Sequence, residues 1–116
     1  MNTKIYYNPR CSKCRQTLAL LRDKGIEPKI VSYLESPPGT DALIEVIHKL
    51  GIDPRDVVRF KEPAAKELGL SRKDERSTKT WATLLAENPT LLERPIVIHG
   101  DKAVIGRPPE SVLSIL

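Results

Sequence analysis

The sequence predicts an α/β fold in which a mixed four-stranded sheet carries helices on both faces. Three observations predict it. A strand–helix–strand pattern opens the chain, helical periodicity occupies about residues 40–90, and a hairpin followed by a short helix closes it. At 116 residues the chain is long enough for one domain with its own core and too short for two.

Each element has its local reason. Lys4-Ile5-Tyr6-Tyr7 is a β-rich run ended by the turn signal Asn8-Pro9. After it, Cys14, Leu18, Leu20 and Leu21 recur at helical spacing, and Gly25 is placed to cap the helix end. Pro28-Lys29-Ile30-Val31-Ser32-Tyr33 reads as a second strand, broken by Ser36-Pro37-Pro38-Gly39. Thr40 is placed to cap a helix with Leu43, Ile44, Ile47 and Leu50 on one face, stopped by Gly51. Asp53-Pro54, with Asp56 three residues after the cap, starts another helix, and Glu62-Pro63 starts one that ends at Gly69. Ser77 or Thr78 begins a fourth, with Trp81, Leu84 and Leu85 facing inward and Asn88-Pro89 ending it. Ile96-Val97-Ile98-His99 and Lys102-Ala103-Val104-Ile105 flank the tight turn Gly100-Asp101. Gly106-Arg107-Pro108-Pro109 breaks the second strand, and residues 110–116 form a last short helix.

A β-α-β start implies parallel strands joined by a right-handed crossover, and a closing hairpin and helix complete one sheet. That order is the thioredoxin-like layout: a single domain over residues 1–116, with a helical insertion between its β-α-β and β-β-α halves.

Bulk properties narrow the function. Apolar residues make up 40% and charged residues 29%, a globular balance, and no run approaches a membrane span. The polar start Met1-Asn2-Thr3-Lys4 has no apolar signal core, so a cytoplasmic protein is expected. A net charge of +4 favours anionic ligands, but the basic residues are scattered and aromatic residues few, which argues against nucleic acid. Two cysteines are too few for a structural zinc site, and His48 and His99 are distant in sequence, so no metal is expected and both histidines read as ordinary.

The cysteines stand as Cys11-Ser12-Lys13-Cys14, where a strand hands over to a helix. A neutral thiol is a poor nucleophile; the positive end of a helix and nearby cations, here Arg10, Lys13 and Arg15, favour the thiolate. The same free N–H groups suit an oxyanion. Cys11 is therefore the candidate nucleophile, and Cys14, one turn on, is at most a resolving thiol. Three arginines have settings unlike plain surface charges. Arg59 lies in the apolar run Val57-Val58-Arg59-Phe60, Arg94 precedes Pro95 and a buried-looking strand, and Arg107 follows the hairpin. Guanidiniums offer forked donors to tetrahedral oxyanions, and beside a thiolate they would neutralise charge in the transition state.

Asn8-Pro9-Arg10-Cys11, Tyr33-Leu34-Glu35-Ser36-Pro37-Pro38, Lys66-Glu67-Leu68-Gly69-Leu70, Leu91-Leu92-Glu93-Arg94-Pro95-Ile96-Val97 and Gly106-Arg107-Pro108 occur in order along nearly the whole chain. In these motifs the sequence resembles the glutaredoxin-coupled arsenate reductases of the ArsC type. The resemblance implies that Cys11 attacks arsenate to form a sulfur–arsenic adduct, that glutathione adds as co-substrate, and that glutaredoxin recycles the enzyme before arsenite leaves. It implies that Arg59, Arg94 and Arg107 hold the oxyanion, that Asn8, Ser12, Arg15 and Pro95 contribute to substrate binding, and that the peptide before Pro95 is cis. No bound cofactor and a monomer are expected. Two departures stand out. Tyr7 occupies the place of a family histidine, and Cys14 that of a common serine; the second thiol opens a disulfide route and with it thioredoxin as reductant.

Two other functions fit parts of the pattern. Relatives with the same Cys-x-x-Cys are redox-sensing regulators that bind RNA polymerase, but they lack the Gly-Arg-Pro-Pro segment and an arginine placed like Arg59. A general thiol–disulfide oxidoreductase would use both cysteines on disulfide substrates.

Overall fold

The structure, a computed structural model, describes residues 2–116, which fall into two compact units. The first is the chain up to Ser36 together with Arg94–Leu116; the second is Pro37–Glu93.

The first unit holds β1 (Thr3–Tyr6), α1 (Ser12–Asp23), β2 (Lys29–Val31), β3 (Ile96–His99), β4 (Lys102–Ile105) and a 3-10 helix over Pro109–Ile115. Its strands form one sheet in the order β2-β1-β3-β4, with β2 parallel to β1 and the other pairs antiparallel. This is the mixed four-stranded sheet the patterning predicts, and the hairpin strands match their expected bounds. Ile30, Ile5, Val97 and Val104 stand opposite one another across the ladder, so they share a face. Leu18 and Leu21 of α1 and Val112 of the closing helix join Ile5 and Val97 in the core, and α1 packs against that closing helix. Burying a side chain of this size contributes about 1.5–3 kcal/mol.

The end of α1 shows how local sequence sets this packing. Gly25 adopts φ +78°, a left-handed conformation that favours glycine. Its N–H returns to the Arg22 carbonyl and that of Ile26 to the Leu21 carbonyl, both at 2.9 Å. This double closure satisfies the last turn and delivers Ile26 onto the core.

The second unit contains α2 (Thr40–Leu50), a 3-10 helix over Pro54–Val57, α3 (Pro63–Glu67), α4 (Thr78–Glu87) and a 3-10 turn over Pro89–Leu91. Leu43, Val46 and Ile47 of α2 and Trp81, Ala82 and Leu85 of α4 are buried where the helices pack. Phe60 meets Trp81 edge-on with ring centroids 5.9 Å apart. Ser77 caps α4, its Oγ accepting the Thr80 N–H at 3.1 Å.

The structure departs from the expected boundaries for identifiable reasons. The residue before α2 is Gly39, not Thr40, and the Thr40 hydroxyl bonds that of Thr83 at 3.3 Å instead of capping. Asp53 does cap, accepting the Arg55 N–H at 2.9 Å, but only a single 3-10 turn follows. Leu84 is half-buried rather than inward-facing, and β2 is shorter than its apolar run. The last short helix is a 3-10 helix, Pro109–Ile115, in which the Ser114 hydroxyl donates to the Ser111 carbonyl at 2.8 Å. Among the described residues no helix is long and apolar enough to cross a membrane.

Gly106, after β4, has little room for a side chain. A Cβ placed on Gly106 would stand 2.7 Å from Thr17 Oγ1 and 2.8 Å from Pro95 Cγ, inside contact distance of both. Gly106→Ala should therefore lower stability by about 1–3 kcal/mol, the usual cost of overfilling a packed site. Urea denaturation checks this; an unchanged midpoint would show that α1 and the Pro95 turn yield freely.

Candidate active site

Cys11 is the residue immediately before α1, with extended backbone, and it lies at the junction the Cys-x-x-Cys reading assigns it. The approach is rigidly tied. The Asn8 side-chain oxygen accepts the Arg10 N–H at 3.0 Å, and the Asn8 carbonyl accepts the Cys11 N–H at 3.0 Å. Arg15 reaches back from α1, its Nη1 donating to the Pro9 carbonyl at 2.7 Å. Asn8 and Arg15, expected to bind substrate, thus also shape the loop. Ser12 opens α1 and is exposed.

The two thiols differ in state. Burial opposes ionisation of Cys11, yet the Cys14 N–H and thiol, the Arg94 charge and the Lys13 N–H outweigh it and hold its pKa below the ordinary thiol value. Burial, joined by the neighbouring Cys11 sulfur and its charge, pushes the Cys14 thiol up to about 12, against an Asn8 N–H that pulls it down. Opposite shifts on adjacent groups divide them into a nucleophile and a proton-bearing neighbour.

The segments on either side of the hairpin complete this unit's site. The Arg94–Pro95 and Arg107–Pro108 peptides are both cis; the resemblance implied the first, and nothing in the sequence pointed to the second. The Pro95 carbonyl accepts the Gly106 N–H at 2.9 Å. Arg107 Nε donates to the Arg94 carbonyl at 2.7 Å, and this anchor leaves Nη2 at 3.6 Å from the Cys11 sulfur. Cys11, Cys14, Arg94, Pro95 and Arg107 therefore meet in one place although they lie far apart in sequence.

Arg59 belongs to the second unit. Its N–H donates to the Leu91 carbonyl at 2.7 Å, and its guanidinium pairs with Glu62 at 2.5 Å. His48 is exposed, and His99 Nδ1 lies 2.7 Å from the Thr3 hydroxyl, a structural contact. Tyr7, in the place of the family histidine, is half-buried against the core, with its N–H on the Val31 carbonyl at 2.9 Å. Among the described residues no group of three His, Cys, Asp or Glu side chains could hold a metal.

Thr17 was missed by the sequence reading. It is fully buried and packs where Gly106 passes Pro95. The signal was present: Cys14, Thr17, Leu18 and Leu21 follow the i, i+3, i+4, i+7 spacing of one helix face.

With this geometry in place, the comparisons are informative. The ArsC family model matches residues 6–115. An arsenate reductase of Haemophilus influenzae is 48% identical over the full length of both chains. An uncharacterized Escherichia coli protein is 46% identical over 97% of this chain and 95% of its own. The structure of an arsenate reductase from Vibrio cholerae superposes with a TM-score of 0.93 at 44% identity, covering 100% of this chain and 98% of that one.

The sign of the thiol shifts sets a measurable behaviour. Because the thiolate is the reactive form, alkylation of Cys11 should persist to lower pH than that of an ordinary thiol, while Cys14 stays unmodified at neutral pH. Arg94→Ala should move the Cys11 profile to higher pH. Rate–pH profiles with iodoacetamide and peptide mapping check both; two cysteines modified with one common inflection would refute the division.

Proposed function

The chain belongs to the ArsC family, and on that footing we propose that it reduces arsenate to arsenite through a sulfur–arsenic adduct on Cys11, with glutathione and glutaredoxin as reductants. The observation that carries this reading is the Arg107 guanidinium 3.6 Å from a buried sulfur at a helix start. A thiolate there has an oxyanion-binding group already beside it, so nucleophile and electrophile are brought together before reaction.

The Cys11 thiolate attacks arsenic, and one arsenate oxygen leaves as water, with arsenic still pentavalent. A glutathione thiol replaces a second oxygen, again as water. A glutaredoxin thiol then attacks the glutathione sulfur. The disulfide formed carries off the oxidation, the electron pair of the broken sulfur–arsenic bond stays on arsenic, and arsenic becomes trivalent. Hydrolysis of the remaining Cys11–arsenic bond releases arsenite and the thiol.

Arg94 and Arg107 stabilise the charge that builds on arsenic-bound oxygens. Arg59 is the third guanidinium of this reading, on the strength of the family resemblance. The N–H groups opening α1, with Ser12, receive the oxyanion, while Asn8, Arg15 and Pro95 hold the surrounding backbone. Cys14, fully buried and protonated, keeps its proton through the glutathione route. The reading takes the enzyme as a cytoplasmic monomer without a bound cofactor.

Cys11→Ser should abolish arsenite formation, whereas Cys14→Ser should keep substantial activity when glutathione is supplied. Alanine at Arg94, Arg107 or Arg59 should each lower kcat/KM for arsenate by roughly 10- to 150-fold, the loss of one charge-assisted hydrogen bond of about 1.5–3 kcal/mol. Arsenite production with defined glutathione and glutaredoxin is the assay. Turnover by Cys11→Ser, or disulfide reduction by the wild type without arsenite, would overturn the proposal.

A further inference from the structure

Beside the Cys11 loop lies a groove of about 360 Å³ that the chemistry above does not use. Residues 7–10 form one wall, and Ser32, Leu34 and Glu35 form the other. Both walls are tied down. The Tyr7 N–H donates to the Val31 carbonyl at 2.9 Å, and the Asn8 side chain holds the Arg10 N–H at 3.0 Å. The turn opposite is closed by the N–H groups of Glu35 and Ser36 on the Ser32 carbonyl at 3.0 and 2.9 Å. The volume is at the lower end of the range for small-molecule sites, and ordered walls reduce the entropy lost on binding.

The groove is lined by one cation and one anion, Arg10 and Glu35, both exposed and neither in any ion pair among the described residues. Between them in chemical character stands Leu34, 41% exposed. Such a lining complements a small zwitterion with an aliphatic body: a carboxylate for the Arg10 fork, an ammonium for Glu35 and methylenes for Leu34. Arg10 is also the residue next to Cys11 in the chain, so the groove adjoins the loop that carries the reacting sulfur.

We propose that this groove binds the peptide thiol, a zwitterion of the glutathione type, that condenses with the Cys11-bound arsenic. The assignment rests on the arsenate-reductase reading for the reaction it serves. In the step concerned, the peptide sulfur–arsenic bond forms while an arsenic-bound oxygen leaves as water carrying the thiol proton, and no electron transfer occurs. The groove binds the reductant and the arginines bind the oxyanion, so the two substrates have separate determinants.

The test separates these determinants. Glu35→Lys should raise KM for glutathione about three- to tenfold, because an exposed attraction is replaced by a repulsion of similar size. KM for arsenate, and turnover supported by the uncharged reductant dithiothreitol, should not change. Arg10→Gln should likewise raise KM for glutathione. Binding of S-methylglutathione, which cannot react, to Cys11→Ser protein should perturb the amide resonances of Leu34 and Glu35, and Glu35→Lys should weaken it by the same factor. The binding arm needs no arsenate, so it reports on the groove even where the reductase reading fails. Unchanged glutathione KM and no resonance shifts at the groove would overturn the proposal. So would a Glu35→Lys defect confined to recycling by glutaredoxin, which would place that protein there instead.

Discussion

A largely buried sulfur whose surroundings favour its anion is the constraint around which this molecule is organised. Cys11 is only 7% exposed, and burial by itself favours the neutral thiol. The ion is sustained by N–H groups at the start of α1, by the Cys14 thiol and by Arg94, with Arg107 Nη2 at 3.6 Å. These groups come from three stretches of chain, and the sheet brings them together. The hairpin between β3 and β4 places the Arg94 carbonyl where it receives Arg107 Nε, so one guanidinium is aimed by the backbone of another. The close passage of Gly106 between Thr17 and Pro95 ties that arrangement to α1 itself.

Much of the architecture was legible because it depends on local chemistry. Gly100-Asp101 between two β-branched runs set the hairpin, and Gly25 set the end of α1 by its need for positive φ. Where the reading slipped, two local preferences competed and tertiary contacts chose between them. Thr40 had the chemistry of a cap, but its hydroxyl found Thr83, forty-three residues away. The closing segment is a short helix as expected, and it takes the 3-10 form, with the Ser114 hydroxyl on the Ser111 carbonyl.

The site was legible in kind more than in arrangement. Cys11 as the candidate nucleophile follows from its place between strand and helix, and burial of Cys14 followed from the helical period. Convergence of Arg94 and Arg107 on Cys11 is a distance, and no spacing encodes a distance. The same holds for the side-chain bonds by which Asn8 and Arg15 hold the loop, which no spacing shows. Thr17 was overlooked for a different reason: an apolar-period count passes over a hydroxyl that happens to lie on the buried face.

The unequal thiols have a consequence for redox chemistry. In a disulfide joining them, an incoming thiolate would most readily displace Cys11, the better leaving group, which requires attack on the Cys14 sulfur. That sulfur belongs to a residue with no solvent exposure. The accessible line of attack, at Cys11, would expel the far more basic Cys14. The better leaving group and the less buried sulfur are thus the same atom, so neither direction of attack is favoured in both respects, and small thiols would release an oxidised pair slowly.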